Sequence, residues 1–343
     1  MAGGGTGGHV IPALAVAREL RSRGHAPVFI GTRKGLEAKL VPAEHFPIEF
    51  VEIGGLNRVG FKRAVSTLGE LPFSVWQASR MIDRAKPAAV FSMGGYVAGP
   101  VLLAALWKKL PVVVMEPNAI PGFTHRRLAR FVCRALVSFE ETARCFPEGR
   151  AEVTGRPVAE EFFALPPKAR EGALTILITG GSQGSRTLNR AAEQSWPLWK
   201  TPVRLIHQTG PAGFEEIAAR FRKAGVEGEV TPFLADMPGA FARADVIVSR
   251  SGGTVSEIAA AGKPSILVPL PTAADQHQLR NAEAFERAGA ARLVADAEMT
   301  GARLVEEISK LTAEKLDRMS AAARGLAKPG AARRAAEILE SFA

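Results

Sequence analysis

Cysteine is nearly missing from this 343-residue chain, which holds two, Cys133 and Cys145. Two thiols allow at most one bridge and fit no zinc-ligand spacing, which excludes a disulfide framework or a structural zinc site. Aromatic residues are scarce too, at 7% with a single tyrosine, leaving few rings on which nucleic-acid bases could stack. No apolar run reaches the roughly 20 residues of a bilayer-spanning helix. The longest, 97–107, stops at Lys108-Lys109. Glycines stand where a secretory signal would carry its apolar segment, so no such signal is expected. No Asp-x-Asp pair occurs and the six histidines show no ligand spacing, so neither a bound metal nor a cofactor is expected.

What is present describes a soluble or peripheral α/β protein. Hydrophobic residues make up 47% and charged residues 23%, enough for a sizeable core, and the length suggests two domains. The net charge of +10 is uneven. Residues 1–159 carry 21 Lys/Arg against 12 Asp/Glu, giving +9, whereas 160–343 carry 23 against 22, giving +1. A basic first half beside a neutral second half points to an anionic partner for the first.

Glycine is concentrated rather than spread. The first cluster, Gly3-Gly4-Gly5-Thr6-Gly7-Gly8, is followed by His9, and bare backbone N–H groups at a helix start suit an anion such as phosphate. Val10, Leu14, Ala17 and Leu20 mark one helix face, with Pro12 placed in the first turn and Gly24 at the stop. A strand is expected at 26–30. Only Met1 and Ala2 precede the loop, so the strand that normally feeds it is expected to be nearly absent. Further strands are expected at 88–92, ending at Gly94-Gly95-Tyr96, then at 112–115 and 135–138, with a helix over 99–109. The proline-rich stretch 155–170 reads as the interdomain connection.

The second half repeats the plan. A strand at 174–179 feeds Gly180-Gly181-Ser182-Gln183-Gly184, a helix starts near Ser185, and strands recur at 203–207, 229–233, 245–249 and 265–268. The expected architecture is two doubly wound domains, 1–158 and 159–325, with a final helix in 326–343 that returns to the first domain. Ligands in such folds sit at the carboxyl ends of the strands, here in a cleft between the domains.

The loop after 245–249 is the most informative. Arg250 and the backbone of Gly252, Gly253, Thr254 and Val255 suit a diphosphate, and Glu257 lies one turn into the next helix. Its carboxylate can take both hydroxyls of a ribose, or it can close a capping box on Thr254. Asp275-Gln276-His277-Gln278 and Asn281 suit sugar hydroxyls, or form a polar helix face.

Taken in order, GGTGGH at 4–9, GGY at 94–96, EPNA at 116–119, GGSQG at 180–184, the 250–257 loop and DQHQ with NA at 281–282 resemble the MurG family of bacterial N-acetylglucosaminyltransferases. The resemblance implies a GT-B fold, UDP-GlcNAc as donor and the undecaprenyl-diphosphate-linked muramyl-pentapeptide, lipid I, as acceptor. It also implies an inverting β1,4 transfer that yields lipid II, at the cytoplasmic membrane face. Carried over by position, Thr6, Gly7, Gly8, Asn118, Ser182, Leu234, Gly252, Gly253, Thr254, Val255, Ser256, Glu257 and Gln278 contact the donor, Leu234 through its backbone to uracil. Gly94, Gly95 and Tyr96 fall on the acceptor side. His9 is the candidate base, with a helix-capping imidazole as the alternative. Arg250 and the loop amides stabilise departing UDP. The family's Gly-Asn-Pro-Val-Arg reads Gly155-Arg156-Pro157-Val158-Ala159 here, so the arginine's role passes to no residue at 159, although Arg156 can reach the same space. The 250–257 loop is also one residue shorter than usual.

An anionic membrane surface is the expected docking partner of the first half. Arg58, Lys62 and Arg63 precede Val65, Leu68, Leu71, Phe73, Val75 and Trp76; the alternative is a core helix pair broken at Pro72. A dehydrogenase is one rival, because Gly3-x-Gly5-x-x-Gly8 matches the dinucleotide fingerprint. Gly31-Thr32-Arg33-Lys34 offers no acid for an NAD ribose, however, so only NADP would fit. A UDP-GlcNAc 2-epimerase shares fold and donor. A nucleic-acid binder would leave three glycine loops unexplained.

Overall fold

The computed structural model describes residues 1–5, 7–53, 61–95, 97–169 and 172–343, and the backbone alone for 61–68. The chain divides into two compact units, 1–158 with 328–343, and 159–327.

The first unit is built on seven strands, β1 (Ala2–Gly3), β2 (Phe29–Gly31), β3 (Ile48–Phe50), β4 (Val90–Gly94), β5 (Val112–Glu116), β6 (Arg134–Val137) and β7 (Ala151–Val153), in the order 3-2-1-4-5-6-7. Every pairing is parallel. Strands of this kind are covered on both faces, which is why Val112-Val113-Val114-Met115 is apolar throughout. Val112 and Val114 face one core with Ala78, Ile82, Val101 and Leu102, and Val113 and Met115 face the other with Val10, Leu14 and Ala17. The expected stub of a first strand is a two-residue strand in the middle of the sheet, where Ala2 pairs with Ile30 on one side and Ser92 on the other.

Helix α1 (Gly7–Ser22) carries Pro12 as its sixth residue, not in its first turn. Helix Ala331–Glu340 lays Ala335, Ala336, Ile338 and Leu339 into the same core as α1. Arg23, just past α1, bonds Glu340 at 2.7 Å, and Arg334 bonds Glu152 at 2.6 Å. Residues 61–85 form one continuous helix through Pro72, in place of a pair broken there.

The second unit has six parallel strands, β8 (Leu174–Thr179), β9 (Val203–Gln208), β10 (Glu227–Thr231), β11 (Val246–Ser249), β12 (Ser265–Leu267) and β13 (Ala291–Leu293), ordered 10-9-8-11-12-13. Both sheets therefore reverse direction of strand order beside their first strand, between β1 and β4 and between β8 and β11. Loops leaving that switch point diverge and open a crevice.

Glycine 184 shows how tightly these loops are set. Its φ is +72°, and a Cβ there would lie 1.8 Å from the carbonyl oxygen of Thr209. Replacing Gly184 by Ala should destabilise the second unit by at least about 2 kcal/mol, read as a lower thermal midpoint.

Candidate functional site

In the first unit the loops after β1 and β4 pack backbone on backbone. A Cβ at Gly95 (φ +86°) would sit 2.4 Å from the Gly4 carbonyl oxygen. Beneath them lies the fully buried carboxylate of Glu37, which sequence reading missed. It accepts the N–H of Gly5 at 2.8 Å and both the N–H and hydroxyl of Thr32 at 2.8 Å. Gly4, Gly31 and Gly35 line its cage, since a Cβ on any of them would come within 2.6 Å of the Glu37 side chain. The Gly5 N–H is thus taken by a carboxyl group that the protein carries itself. With the Gly5 N–H already taken, the loop has one backbone donor fewer for a dinucleotide's diphosphate, which weighs against the dehydrogenase reading.

Past that carboxylate, Gly7, Gly8 and His9 are half-buried in the first turn of α1. His9 and His125 flank Gly94, whose added Cβ would lie 3.8 Å from His9 Cδ2 and 3.4 Å from His125 Cε1. His125 belongs to a buried polar chain. Ser92 Oγ lies within hydrogen-bond distance of His125 Nε2, at 3.2 Å, and accepts from the Gly94 N–H at 3.1 Å. His125 Nδ1 donates to Glu116 at 3.0 Å. Glu116 also accepts the N–H of Gly122 at 2.9 Å, and the N–H and side-chain amide of Asn118 at 3.1 and 3.0 Å. Burial pushes the Glu116 carboxyl up, yet the hydrogen bond and charge of His125 and the two backbone N–H groups outweigh it and hold the group below the usual carboxylate range. Serine, histidine and glutamate in this order look like a hydrolytic triad, but Ser92 is 0% exposed and touches no solvent. The chain fixes Asn118 and the Gly94-Gly95 turn instead. Thr6, Tyr96, Arg58, and the side chains of Lys62, Arg63, Val65 and Leu68 lie outside the described residues.

In the second unit the structure brings Gly252 and Gln278 together, with 3.6 Å between Gln278 Nε2 and a Cβ built on Gly252. Gln278 Oε1 accepts the Leu270 N–H at 3.0 Å, Ser251 Oγ donates to the Gln278 carbonyl at 2.7 Å, and Asn281 Nδ2 donates to the Ser251 carbonyl at 3.0 Å. Asp275 and Gln276 lead into this helix with φ of +49° and +53°, a strained pair held by the surrounding bonds. Helix Thr254–Ala261 has Gly253 and not Thr254 at its N-cap position, with no side-chain cap there. The Val255 and Ser256 N–H groups bond back to Gly252 and Gly253 at 3.3 and 3.1 Å, a tight first turn. Arg250 Nη1 donates to the carbonyls of Val268 and Pro269 and pairs with Asp296 at 2.5 Å, which anchors the loop's entry. Ser182 is exposed on the loop after β8, and Leu234 is half-buried beside the exposed Phe233.

A neutral network underlies the 180–184 loop. Thr179 Oγ1 accepts the Gly181 N–H and donates to Gln208, and Asn189 bridges His207 Nε2 and the Thr209 carbonyl. Glu116 and Ser92 carry a signal in the sequence, as polar residues within apolar strands; Glu37, on the helix after β2, carries none. His125 gave no such signal.

The 61–85 helix presents Phe73 and Trp76, stacked at 5.7 Å and half exposed, with Arg80 near the Trp76 ring. Trp107 is 81% exposed at the end of helix Ala98–Trp107. Among the described residues no helix is long and apolar enough to cross a membrane.

Comparison with known proteins gives the chain its relatives. The glycosyltransferase family 28 N-terminal domain matches residues 1–137, and the family's C-terminal domain matches 175–338. A protein of Solibacter usitatus named UDP-N-acetylglucosamine–N-acetylmuramyl-(pentapeptide) pyrophosphoryl-undecaprenol N-acetylglucosamine transferase is 65% identical, over 100% of this chain and 95% of the relative. The crystal structure of Acinetobacter baumannii MurG aligns with a TM-score of 0.85 at 32% identity, covering 99% of this chain and 98% of that one. A UDP-GlcNAc 2-epimerase from Neisseria meningitidis, bound to UDP-GlcNAc, aligns at 0.68 over 98% of both chains but at 14% identity, a likeness of fold alone.

His207 in the neutral network yields a pH dependence. Burial pushes its imidazole from 6.5 down to about 4, so the fold favours the neutral ring. Its contribution to stability is complete above the unfolded value of 6.5 and is lost as pH falls from there toward 4, by up to about 3 kcal/mol. The thermal midpoint should drop across that window, and His207→Gln, which keeps a donor for Asn189, should flatten the drop.

Proposed function

The chain belongs to glycosyltransferase family 28, and from that membership we propose that it transfers N-acetylglucosamine from UDP-GlcNAc to lipid I. The full-length 65% identity to a transferase of that name carries the reading. The product is lipid II, and the enzyme is a hexosyltransferase of peptidoglycan synthesis.

The donor lies on the loops of the second unit. Gly252, Gly253 and Thr254, at the start of an eight-residue helix, offer backbone dipoles to the diphosphate. Glu257 takes the ribose hydroxyls, Gln278 and Ser182 meet the sugar and phosphate side, and the Leu234 backbone meets uracil. Arg250 holds its charge beside this loop through the Val268, Pro269 and Asp296 contacts. Electrostatic stabilisation of the leaving diphosphate, rather than proton donation, then lowers the barrier.

The acceptor meets the first unit at Gly94 and Gly95, whereas Asn118, held by Glu116, is a donor contact. Its hydroxyl oxygen attacks the anomeric carbon from the face opposite UDP, the bond from that carbon to the diphosphate oxygen breaks, and configuration inverts. The hydroxyl proton passes to His9, whose imidazole suits a base near neutral pH. Docking on an anionic cytoplasmic leaflet follows from the +9 of residues 1–159 and the half-exposed Phe73–Trp76 pair. Each nearby Lys or Arg contributes about 1 kcal/mol at such a surface.

UDP release from UDP-GlcNAc should depend on a lipid I analogue; release that ignores the acceptor would point to hydrolysis or epimerisation. In the same assay His9→Ala should lower turnover roughly a hundredfold or more while UDP-GlcNAc affinity changes little. Unchanged turnover removes His9 from the mechanism. Co-sedimentation with vesicles should require anionic lipid, weaken with salt, and weaken again in a Phe73→Ala, Trp76→Ala double variant; binding indifferent to all three refutes the docking surface.

A further inference from the structure

Pro12 lies within α1 and has no N–H to give to the carbonyl four residues earlier. That carbonyl belongs to Gly8, next to His9. The proline ring also pushes it outward, away from the helix axis. A helix carbonyl without a donor in a half-buried turn is destabilising unless another group serves it.

The chain supplies a donor from far away in sequence. Arg156 Nη2 donates to the Gly8 carbonyl at 3.3 Å. Arg156 is 8% exposed, so its guanidinium is held inside the first unit and does not wave in solvent. The backbone before it sets its direction. Gly155 takes a left-handed φ of +78° and donates its N–H to the Val137 carbonyl at 3.0 Å. A Cβ at Gly155 would lie 2.3 Å from Lys328 Cβ, so the C-terminal segment closes over that turn. The result is a rigid route from the end of β7 to the start of α1.

We propose that Arg156 is a positioning residue for the transfer reaction. Its guanidinium replaces the hydrogen bond that Pro12 lacks, and by fixing the Gly8 carbonyl it fixes the orientation of His9. The proposal rests on the transferase reading above, in which His9 receives the acceptor proton. It also gives the Pro12–Arg156 pair a single explanation: one residue removes a helix bond, and the other restores it from outside.

The pair defines its own test, a double-mutant cycle read by transferase kinetics and by backbone hydrogen exchange over residues 9–13. Arg156→Ala should lower kcat by roughly tenfold to a hundredfold, with a smaller change in the KM for UDP-GlcNAc, and should speed exchange at 9–13. Pro12→Ala restores a helical N–H to the Gly8 carbonyl. Combined with Arg156→Ala, it should bring kcat to within about threefold of Pro12→Ala alone and slow exchange again. A double variant as impaired as Arg156→Ala would overturn the proposal, because the cation itself and not the hydrogen bond would then be what matters. Wild-type kinetics in Arg156→Ala would overturn it as well. Should Arg156→Ala fail to fold, Arg156→Met, which keeps much of the bulk but has no N–H, enters the same cycle with the same expectations. Exchange needs no substrate, so it tests the anchor separately: a wild-type chain without transferase activity would defeat the functional reading and leave the exchange result to stand by itself.

Discussion

Backbone rests directly on backbone where the loops leave the central strands, and the candidate site is built around that contact. Gly95 lies over the Gly4 carbonyl and Gly184 over the Thr209 carbonyl, at separations that no side chain can enter. Close approach of this kind needs glycine on sterics alone. It also leaves peptide groups that must be satisfied from below, because water cannot reach them. The two units meet that demand differently.

In the first unit, buried carboxylates do the work. Glu37 collects donors from Gly5 and Thr32, and Glu116 collects them from Asn118, Gly122 and His125. Around Glu116 these hydrogen bonds outweigh the cost of burial and hold its carboxyl below the usual range. In the second unit the corresponding floor, Thr179, Gln208, Asn189 and His207, is uncharged, and burial holds His207 neutral. That neutral floor supports the 180–184 loop, which carries the exposed Ser182.

Much of the fold could be read from the chain. The run at 174–179 is a strand over the same residues, and those near 112–115 and 203–207 differ from the observed strands by a residue, because fully buried parallel strands are apolar on both faces. Pro12 is misplaced by the sequence pattern because the helix begins at Gly7, inside the glycine-rich stretch that reads as loop. The Thr254–Glu257 spacing suggested a cap, but Gly253 takes that position. Spacing alone could not decide between these.

Local order in the chain therefore determined the strands, the tandem repeat of the strand–glycine loop–helix unit, and the motifs that mark the family. These depend on periodicity and on neighbouring residues, which a sequence states directly. Tertiary structure alone decided which groups stand behind the motifs. Glu37 reaches Gly5 across 32 positions, His125 reaches Ser92 across 33, and Arg156 reaches Gly8 across 148. Partners so distant are joined only by the order of strands in the sheet, which brings the ends of β1, β2, β4 and β5 side by side and encloses their polar groups.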